Sequence, residues 1–271
     1  MGAGKGQLIS GTRMVGTKKS LGQHWLKNRE ILNEIADLAT GQSAFSNSAK
    51  TGVCVEIGPG LGTLTASLLK RFDKVIAVEY DERLAENLPK SFPGTNLEVV
   101  WGDILEFDFS TIRGKYVIAG NIPYYITSPI IEKVLTAEPL PERVVLLVQK
   151  EVAERILSEK ETQLSLFVKN RARVEAGPVV FKSEFTPPPK VDSEVLILEP
   201  HAPEVPEEVF ELIKVGFKAP RKKLIHNLSE LKSKEELIGI FEGLGIDLDA
   251  RPGDLRLMDY QRLWKAMLGD G

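Results

Sequence analysis

The residues best suited to chemistry in this 271-residue chain follow three short apolar runs. The run Val53–Ile57 leads into a glycine-rich loop, Glu79 ends the next run, and Asp103 follows the third. Glycines let the backbone approach a ligand closely, and a helix that begins after such a loop offers free N–H groups. Carboxylates at the next two strand ends can accept hydrogen bonds from ribose hydroxyls and from the amino group of adenine. We therefore predict an adenine-nucleoside site that includes the loop glycines Gly58, Gly60 and Gly62.

The spacing of the glycine loop disfavours a nicotinamide cofactor. From Glu56 the sequence reads E-x-G-x-G-x-G, whereas the dinucleotide fingerprint G-x-G-x-x-G would require glycine at Thr63. Each acid also has a structural interpretation, Glu79 as a helix-capping residue and Asp103 as a turn residue. Their positions at consecutive strand ends, after the glycine loop, favour ligand binding.

The segment from Asn121 to Tyr124 follows a fourth apolar run, and its residue types suit chemistry on an exocyclic amino nitrogen. The lone pair of the adenine amino group is delocalised into the ring, so this nitrogen is a poor nucleophile. The Asn121 side-chain oxygen and the Ile122 carbonyl can accept its two hydrogens and draw it toward tetrahedral geometry, while Tyr124 can stack on a flipped base. Standing alone, this loop would indicate a proline-containing turn with a core tyrosine.

The elements that must position these groups are predicted by alternating strand-like and helical segments, which are typical of a doubly wound, mostly parallel α/β sheet. The predicted strands are Val53–Ile57, Lys74–Glu79, Leu97–Val100, Tyr116–Ala119, Val144–Val148 and Val195–Leu198. The predicted helices span residues 63–71, 81–88, 128–136 and 151–158, after an earlier helix that begins near Asn28 and ends at Gly41.

Three segments are predicted along the chain. Residues 1–17 are glycine-rich and lack periodicity, so we expect a flexible tail, and residues 18–200 form the α/β domain. After the linker His201–Pro206, residues 201–271 are expected to form a small α-helical domain that contacts RNA or the ribosome, with helices near 207–218, 220–231, 234–243 and 258–268.

Composition excludes several classes of protein. Apolar residues make up 42% and charged residues 27%, which argues against a disordered chain or a disulfide scaffold. The longest strictly aliphatic run, Val144–Val148, is too short to span a bilayer, and the N-terminus has no apolar signal segment. Cys54 lies in an apolar run and is expected to be an inert core thiol, and the three scattered histidines predict no metal site. We expect a cytoplasmic monomer.

The net charge of −3 conceals two basic patches. Residues 1–29 carry six Lys or Arg and no acid, and residues 214–223 also contain no acid. Such patches attract phosphates whatever the net charge, although a flexible basic tail and a solvated helix face would explain them equally well. The predicted RNA-binding residues are Lys18, Lys19, Lys218, Arg221, Lys222 and Lys223.

Five segments, in this order, resemble the ribosomal RNA adenine N6,N6-dimethyltransferases of the KsgA (RsmA) type. They are Lys18–Leu26 (KKSLGQHWL), Glu56–Gly62 (EIGPGLG), Asn121–Tyr124 (NIPY), Gln149–Arg155 (QKEVAER) and Phe185–Ser193 (FTPPPKVDS). The resemblance extends from residue 18 to about residue 230. It implies a Rossmann-like class I methyltransferase that uses S-adenosyl-L-methionine.

The resemblance also implies a role for each matching residue. His24 and Leu26 would flank the methionine end of the cofactor, Asn121 would close the site between cofactor and target base, and Phe185 would pack against that base. The implied catalytic residues are Asn121, Pro123, Tyr124 and Phe185. The implied cofactor-binding residues are His24, Leu26, Glu56, Gly58 (under the cofactor), Gly60, Gly62, Glu79 (at its ribose), Asp103 (at its adenine) and Asn121.

The chain departs from the family pattern at two places. His24 and Trp25 stand where the family often has Asn and Phe, and because histidine keeps a donor we expect cofactor binding to survive. The basic run Phe217–Lys223 has one lysine where the family's F-x-x-x-R-R-K has arginine, which keeps the charge but loses a bidentate fork.

The implied reaction is the transfer of two methyl groups to N6 of each of two adjacent adenosines in a hairpin loop near the 3′ end of small-subunit (16S) rRNA. The implied partner is the rRNA or an immature small subunit, with a role in its biogenesis. A large-subunit rRNA methylase of the macrolide-resistance type is an alternative, which the forms of Phe185–Ser193 and Gln149–Arg155 disfavour. A non-catalytic assembly factor is another, which the intact Asn121–Tyr124 loop and cofactor residues disfavour.

Overall fold

The computed structural model describes residues 24–41 and 52–269. The predicted tail 1–17, Lys18 and Lys19 lie outside these ranges. Nine strands occur in the described chain: β1 Trp25–Leu26, β2 Val53–Ile57, β3 Lys74–Glu79, β4 Leu97–Trp101, β5 Tyr116–Asn121, β6 Arg143–Gln149, β7 Ala172–Val180, β8 Phe185–Thr186 and β9 Ser193–Pro200.

Seven of these strands form one sheet in the order β4-β3-β2-β5-β6-β9-β7. The first five are parallel, and β9 runs antiparallel to both β6 and β7. In the register, Ile57 lies beside Val78 on one side and Gly120 on the other, so β2, β3 and β5 end at the same edge. Ligands of open α/β sheets bind at this edge.

The helices are α1 Arg29–Thr40, α2 Thr63–Leu68, α3 Glu82–Ser91, α4 Thr127–Leu135, α5 Lys150–Leu157, α6 Gln163–Arg171, α7 Glu207–Gly216, α8 Leu224–Leu228, α9 Lys234–Leu244 and α10 Leu257–Leu268. The first two cover one face of the sheet and share a core with it, while α4, α5 and α6 cover the other face. Burial on both faces explains why β2, β3 and β6 are almost continuously apolar. None of the described helices has the length and apolar character needed to cross a membrane.

The first helix shows how the sequence sets an element's limits. The Asn28 side chain accepts hydrogen bonds from the backbone N–H groups of Glu30 and Ile31, which have no partner inside the helix. Gly41 ends the helix in the left-handed conformation at φ +68°. Both limits agree with the prediction.

The doubly wound, mostly parallel sheet is confirmed, and the differences concern later elements. Three strands, β1, β7 and β8, and the helix α6 were not predicted. Strand β7 contains Gly177 and Pro178, and its pairing with β9 shifts register between Ala176 and Val179. These residues interrupt the alternation of apolar and polar side chains by which a strand is predicted from sequence. Strand β5 also extends to Asn121, which therefore lies within the sheet.

The four C-terminal helices share a core of their own that also includes Leu166 of α6. Polar contacts also join this part to the rest of the chain: Glu161 N–H donates to the carbonyl of Gly253, Asn170 exchanges hydrogen bonds with the backbone of Val205, and Arg171 pairs with Glu207 of α7. The predicted helix 220–231 forms only over α8, and the division at residue 201 stays a prediction.

Candidate active site

A cavity of ≈ 350 Å³ opens at the edge where β2, β3 and β5 end. This volume is in the range typical of small-molecule sites. Ten of the predicted site residues line it: His24, Leu26, Glu56, Gly58, Gly60, Glu79, Asp103, Asn121, Pro123 and Tyr124. Gly62 and Phe185 do not. In the described part of the chain, no three His, Cys, Asp or Glu side chains are grouped so as to hold a metal ion.

The glycine loop is shaped by contacts that leave no room for side chains. Gly60 has a φ of +59°, and a Cβ there would stand 3.1 Å from the indole Nε1 of Trp25. Gly62 has a φ of +81°, and a Cβ there would stand 2.7 Å from both Leu88 and Phe92. Gly62 therefore packs the loop against Leu88 and Phe92 and does not line the cavity, and its predicted contact with the cofactor stays a prediction.

Glu79 is held by the backbone that surrounds it. Its Oε2 accepts from the N–H of Gly60 at 3.0 Å, and its Oε1 accepts from the N–H of Asp81 at 2.8 Å. Burial raises the pKa of this carboxyl, and the two N–H donors oppose that rise. Because each carboxylate oxygen can accept a second hydrogen bond, Glu79 keeps acceptor capacity toward the cavity.

Glu56 lies deeper in the cavity, and its exposed fraction is 1%. Burial raises the pKa of its carboxyl to about 8, the Thr65 hydroxyl opposes this rise, and the neighbouring Glu79 adds to it. Thr65 Oγ1 donates to Glu56 Oε2 at 2.6 Å. Glu56 is therefore a mostly protonated acid at neutral pH.

Asp103 follows β4 and faces the same cavity. Its Oδ1 accepts from the N–H of Leu105 at 2.9 Å, which makes a turn, whereas its Oδ2 has no donor among the described residues. The turn role and the ligand role are therefore compatible, because different oxygens serve them.

Together these groups fit S-adenosyl-L-methionine. The glycine loop has no Cβ at Gly58 and Gly60, so its backbone can approach a ligand closely. Acidic side chains with unused acceptor capacity stand at two successive strand ends. An acid beneath the glycine loop can face a cationic methionine moiety.

Asn121, at the end of β5, is oriented by a distant segment. Its Nδ2 donates to the backbone carbonyl of His24 at 2.9 Å. With the nitrogen occupied in this way, the Oδ1 of the same amide is left as an acceptor. This is the orientation needed to receive a hydrogen from an amino group.

Tyr124 is held from two sides. Its hydroxyl and the Ser193 Oγ are 2.7 Å apart, and burial raises the pKa of the phenol. Its ring faces the imidazole of His24, with centroids 5.9 Å apart and planes inclined by 22°. The imidazole Nδ1 donates in turn to the carbonyl of Pro187 at 2.8 Å. Ser193 was not among the predicted site residues, although it closes the predicted motif Phe185–Ser193 and contacts Tyr124.

Phe185 lies beside the cavity, in the strand that pairs with β1. Strand β8 pairs with β1, so that Leu26 lies opposite Phe185 and Trp25 opposite Thr186. The Phe185 side chain is 2% exposed and packs in the core shared with α1 and α2. It supports the segment that carries His24, and the predicted contact of Phe185 with the target base stays a prediction.

The predicted basic patch near residue 220 is exposed, but half of it is ion-paired. Lys218 pairs with Glu230 and Lys223 pairs with Asp249. Arg221 and Lys222 form no ion pair with any described residue, so they are the members that remain available to a phosphate.

Comparison with known proteins gives a consistent result. The sequence model of one family, described as ribosomal RNA adenine dimethylase, matches residues 14–267. The chain is 37% identical to a ribosomal RNA small subunit methyltransferase A from Nostoc punctiforme, over 91% of this chain and 93% of that one. It is 33% identical to the protein of the same name from Mycoplasma mycoides, over 91% and 96%.

Two solved structures are similar over nearly the whole chain. A dimethyladenosine transferase from Plasmodium falciparum is 29% identical, with a TM-score of 0.73 and coverage of 91% of this chain and 98% of that one. The 23S rRNA methyltransferase ErmE is 25% identical, with a TM-score of 0.69 and coverage of 90% and 99%.

Proposed function

The chain belongs to the ribosomal RNA adenine dimethylase family, and on that premise we propose that it dimethylates N6 of two adjacent adenosines in a 3′-terminal hairpin loop of small-subunit rRNA. S-adenosyl-L-methionine is the methyl donor. The curated relatives are named for the small subunit, which favours it over the large-subunit reaction in the name of ErmE. We place the reaction in the cytoplasm, on rRNA in an immature subunit, with a monomeric enzyme.

The cavity divides into two halves for this reaction. The cofactor half comprises His24, Leu26, Glu56, Gly58, Gly60, Glu79 and Asp103, and the base half comprises Asn121, Tyr124 and Ser193. In the cofactor half, Glu79 receives the ribose hydroxyls and Asp103 the adenine amino group. The cofactor, when bound, supplies a methyl group on a positively charged sulfur.

The orientation of Asn121 is the observation that carries the proposal. Because its Nδ2 is engaged by the His24 carbonyl, its Oδ1 accepts a hydrogen from the target amino group. The Ile122 carbonyl accepts the other hydrogen, and both bonds draw the nitrogen lone pair out of conjugation with the ring. Tyr124 stacks on the flipped base. Holding the nitrogen in line with the methyl group is then the main source of rate enhancement.

The proposal is tested by the methylation state of rRNA in a deletion strain. Mass spectrometry of small-subunit rRNA should show two unmethylated adjacent adenosines without the gene, and dimethylation when the wild-type gene is restored. Restoration by Asn121→Ala should leave them unmethylated. Normal small-subunit rRNA in the deletion strain, with loss of methylation in the large subunit, would contradict the proposal.

RNA contact is proposed for Arg221 and Lys222, together with the basic residues before position 30. Each phosphate contact contributes roughly 0.7–0.9 to the slope of log affinity against log salt. We expect Arg221→Ala/Lys222→Ala to lower that slope by roughly 1.5 and to leave cofactor affinity unchanged. The matched control, Lys218→Ala/Lys223→Ala, should lower it less because these lysines already have acidic partners. Equal slopes with a lower melting temperature would show that the patch is structural.

A further inference from the structure

Strand β7 ends at the same edge of the sheet as the strands that form the cavity. It pairs antiparallel with β9, which pairs antiparallel with β6, so β7 runs parallel to β6. In the register, Ser193 lies beside Gln149 on one side and Val180 on the other. Because Ser193 contacts the Tyr124 hydroxyl and adjacent strands lie about 4.8 Å apart, the segment that follows Val180 begins about one strand spacing from the base half.

An exposed phenylalanine lies at that position. Phe181 directly follows β7 and is 62% exposed, and Val191, which is 41% exposed, lies in the loop before β9. The two segments are joined, because the N–H of Lys182 donates to Asp192 Oδ1 at 2.9 Å. Aromatic rings that are exposed beside a nucleic-acid site are surfaces on which unpaired bases stack. The position and exposure of Phe181 therefore suit a base that lies just outside the cavity.

Lysines flank this ring, and their charge faces solvent. Lys182 and Lys190 are exposed, and neither forms an ion pair with any residue that the structure describes. The acids of the same segment are engaged within the protein: Asp192 accepts from the N–H of Lys182, and Glu184 Oε2 accepts from Asn28 Nδ2 at 3.0 Å. The outward charge is therefore positive, which attracts the phosphates of a nucleic acid.

The same surface continues into the basic region before position 30. The N–H of Lys27 donates to the carbonyl of Glu184 at 3.1 Å, and the Lys27 side chain is exposed. This contact places the end of that basic region against the segment that carries Phe181 and Lys182. The surface therefore joins the base half to a region for which RNA contact is proposed above.

We propose that Phe181, Lys182, Lys190 and Val191, here called the β7–β9 surface, bind the unpaired loop nucleotides that adjoin the target adenosines. The proposal rests on the function proposed above and adds a contact outside the cavity. Phe181 stacks on a flanking base, and the two lysines contact the phosphates beside it. Because the surface lies outside the cavity, this contact does not depend on which of the two adenosines occupies the base half.

Two substitutions at Phe181 separate stacking from other apolar contact. Phe181→Leu keeps an apolar side chain without a ring, whereas Phe181→Trp keeps a ring. With small subunits from the deletion strain as substrate, we expect Phe181→Leu to raise the KM about tenfold, in keeping with the loss of one stacked base, and Phe181→Trp to stay within about twofold of wild type. The kcat and the cofactor affinity should not change in either variant. An unchanged KM in Phe181→Leu would overturn the proposal.

The lysines are tested by the salt dependence of binding to a labelled hairpin RNA with two adjacent adenosines in its loop. Lys182→Ala/Lys190→Ala should lower the slope of log affinity against log salt by roughly 1.4, the value for two contacts to a single strand. The matched control, Lys70→Ala/Arg113→Ala, removes the same charge from exposed residues that precede β3 and β5, at the opposite edge of the sheet. It should lower the slope much less. Equal slopes in the two double variants would overturn the phosphate contacts.

Crosslinking of the wild-type protein keeps the test independent of variant folding. Photoreactive 5-iodouridine is placed in turn at the loop positions on either side of the two adenosines, and crosslinked peptides are identified by mass spectrometry. A crosslink to Phe181 is expected from one of these positions, and its absence from all of them would overturn the proposal.

The outcomes also distinguish RNA from a protein partner and from a failure of the proposed function. Normal binding of the hairpin RNA by the Phe181 and lysine variants, with reduced methylation of small subunits, would assign the β7–β9 surface to a ribosomal protein and overturn the RNA contact. Failure of the wild-type enzyme to methylate small-subunit rRNA would instead count against the proposed function.

Discussion

The cofactor half and the base half of the cavity are held together by contacts of different range. In the cofactor half, Glu79 reaches Gly60 and Asp81, at separations of 19 and 2 residues, and Glu56 bonds Thr65 at a separation of 9. In the base half, the separations are 97 residues for Asn121 to His24 and 69 for Tyr124 to Ser193. The glycine loop and the strand-end acids are thus held by local contacts, whereas Asn121 and Tyr124 are held by segments that are distant in sequence.

This difference in sequence separation predicts which property each single substitution should change. A change in the cofactor half should alter nucleoside affinity and leave base handling intact, because its bonds stay within one unit. A change in the base half should alter turnover or RNA affinity and leave cofactor affinity unchanged. Four substitutions test whether the halves are separable.

The largest effect is expected for Asn121→Ala. The variant loses the acceptor for the target amino group, so we expect kcat to fall by at least about 100-fold, as for removal of a group that stabilises a transition state. Cofactor affinity should stay within a few-fold of wild type. A tritiated-methyl assay and calorimetry measure the two quantities, with the exposed Asn87→Ala as a matched control. Substantial residual dimethylation would contradict the proposed role of Asn121 as the acceptor for the target amino group.

Glu79→Ala should affect the other half. Loss of a charge-assisted acceptor costs roughly 1.5–3 kcal/mol, which corresponds to a ten- to more than hundredfold loss of cofactor affinity. Glu79→Gln keeps an acceptor oxygen and should lose less. Calorimetry with the cofactor and KM values for RNA test the separation. Normal cofactor binding with no turnover would show that the strand-end assignment is wrong.

Ser193→Ala sharpens the comparison within the base half. The Tyr124 hydroxyl loses its partner, and we expect kcat/KM for RNA to fall about three- to tenfold without a change in cofactor affinity. Tyr124→Phe removes the same bond from the other side. If Ser193 acts through Tyr124, the double variant should be no worse than either single one, and additive losses would contradict this.

The smallest effect is a pH dependence of cofactor binding through Glu56. Its pKa of about 8 in the free protein means that it is protonated at pH 7. The positive sulfonium favours the carboxylate, so binding lowers this pKa and releases a proton. Affinity should therefore rise about threefold from pH 6 to about pH 9 and level off above that, because half of this carboxyl is still protonated at pH 8 in the free protein. Calorimetry in two buffers measures the proton release, and Glu56→Gln should abolish it. Proton uptake when the cofactor binds to the wild-type protein would contradict the proposed deprotonation of Glu56.

The same difference in range explains what could be predicted from the sequence. Gly58, Glu79 and Asp103 were predicted from local strand-end patterns, and all three line the cavity. The pairing of β1 with β8 could not be predicted, because two-residue strands carry no periodic signal. Ser193 was hidden because its neighbour Tyr124 is distant in sequence. Gly62 and Phe185 do not line the cavity, which could not be predicted because a motif does not specify which way its residues face.

The pairing of Leu26 with Phe185 also sets an order of events during synthesis. Strands β2, β3 and β5 can assemble among neighbouring residues, whereas β1 has to wait until a partner roughly 160 residues later has been made, and closing so long a loop costs entropy. Contacts of such long range form slowly. A growing chain therefore contains the strands of the glycine loop and the strand-end acids before it contains β8 and Ser193, which complete the surroundings of His24 and Tyr124.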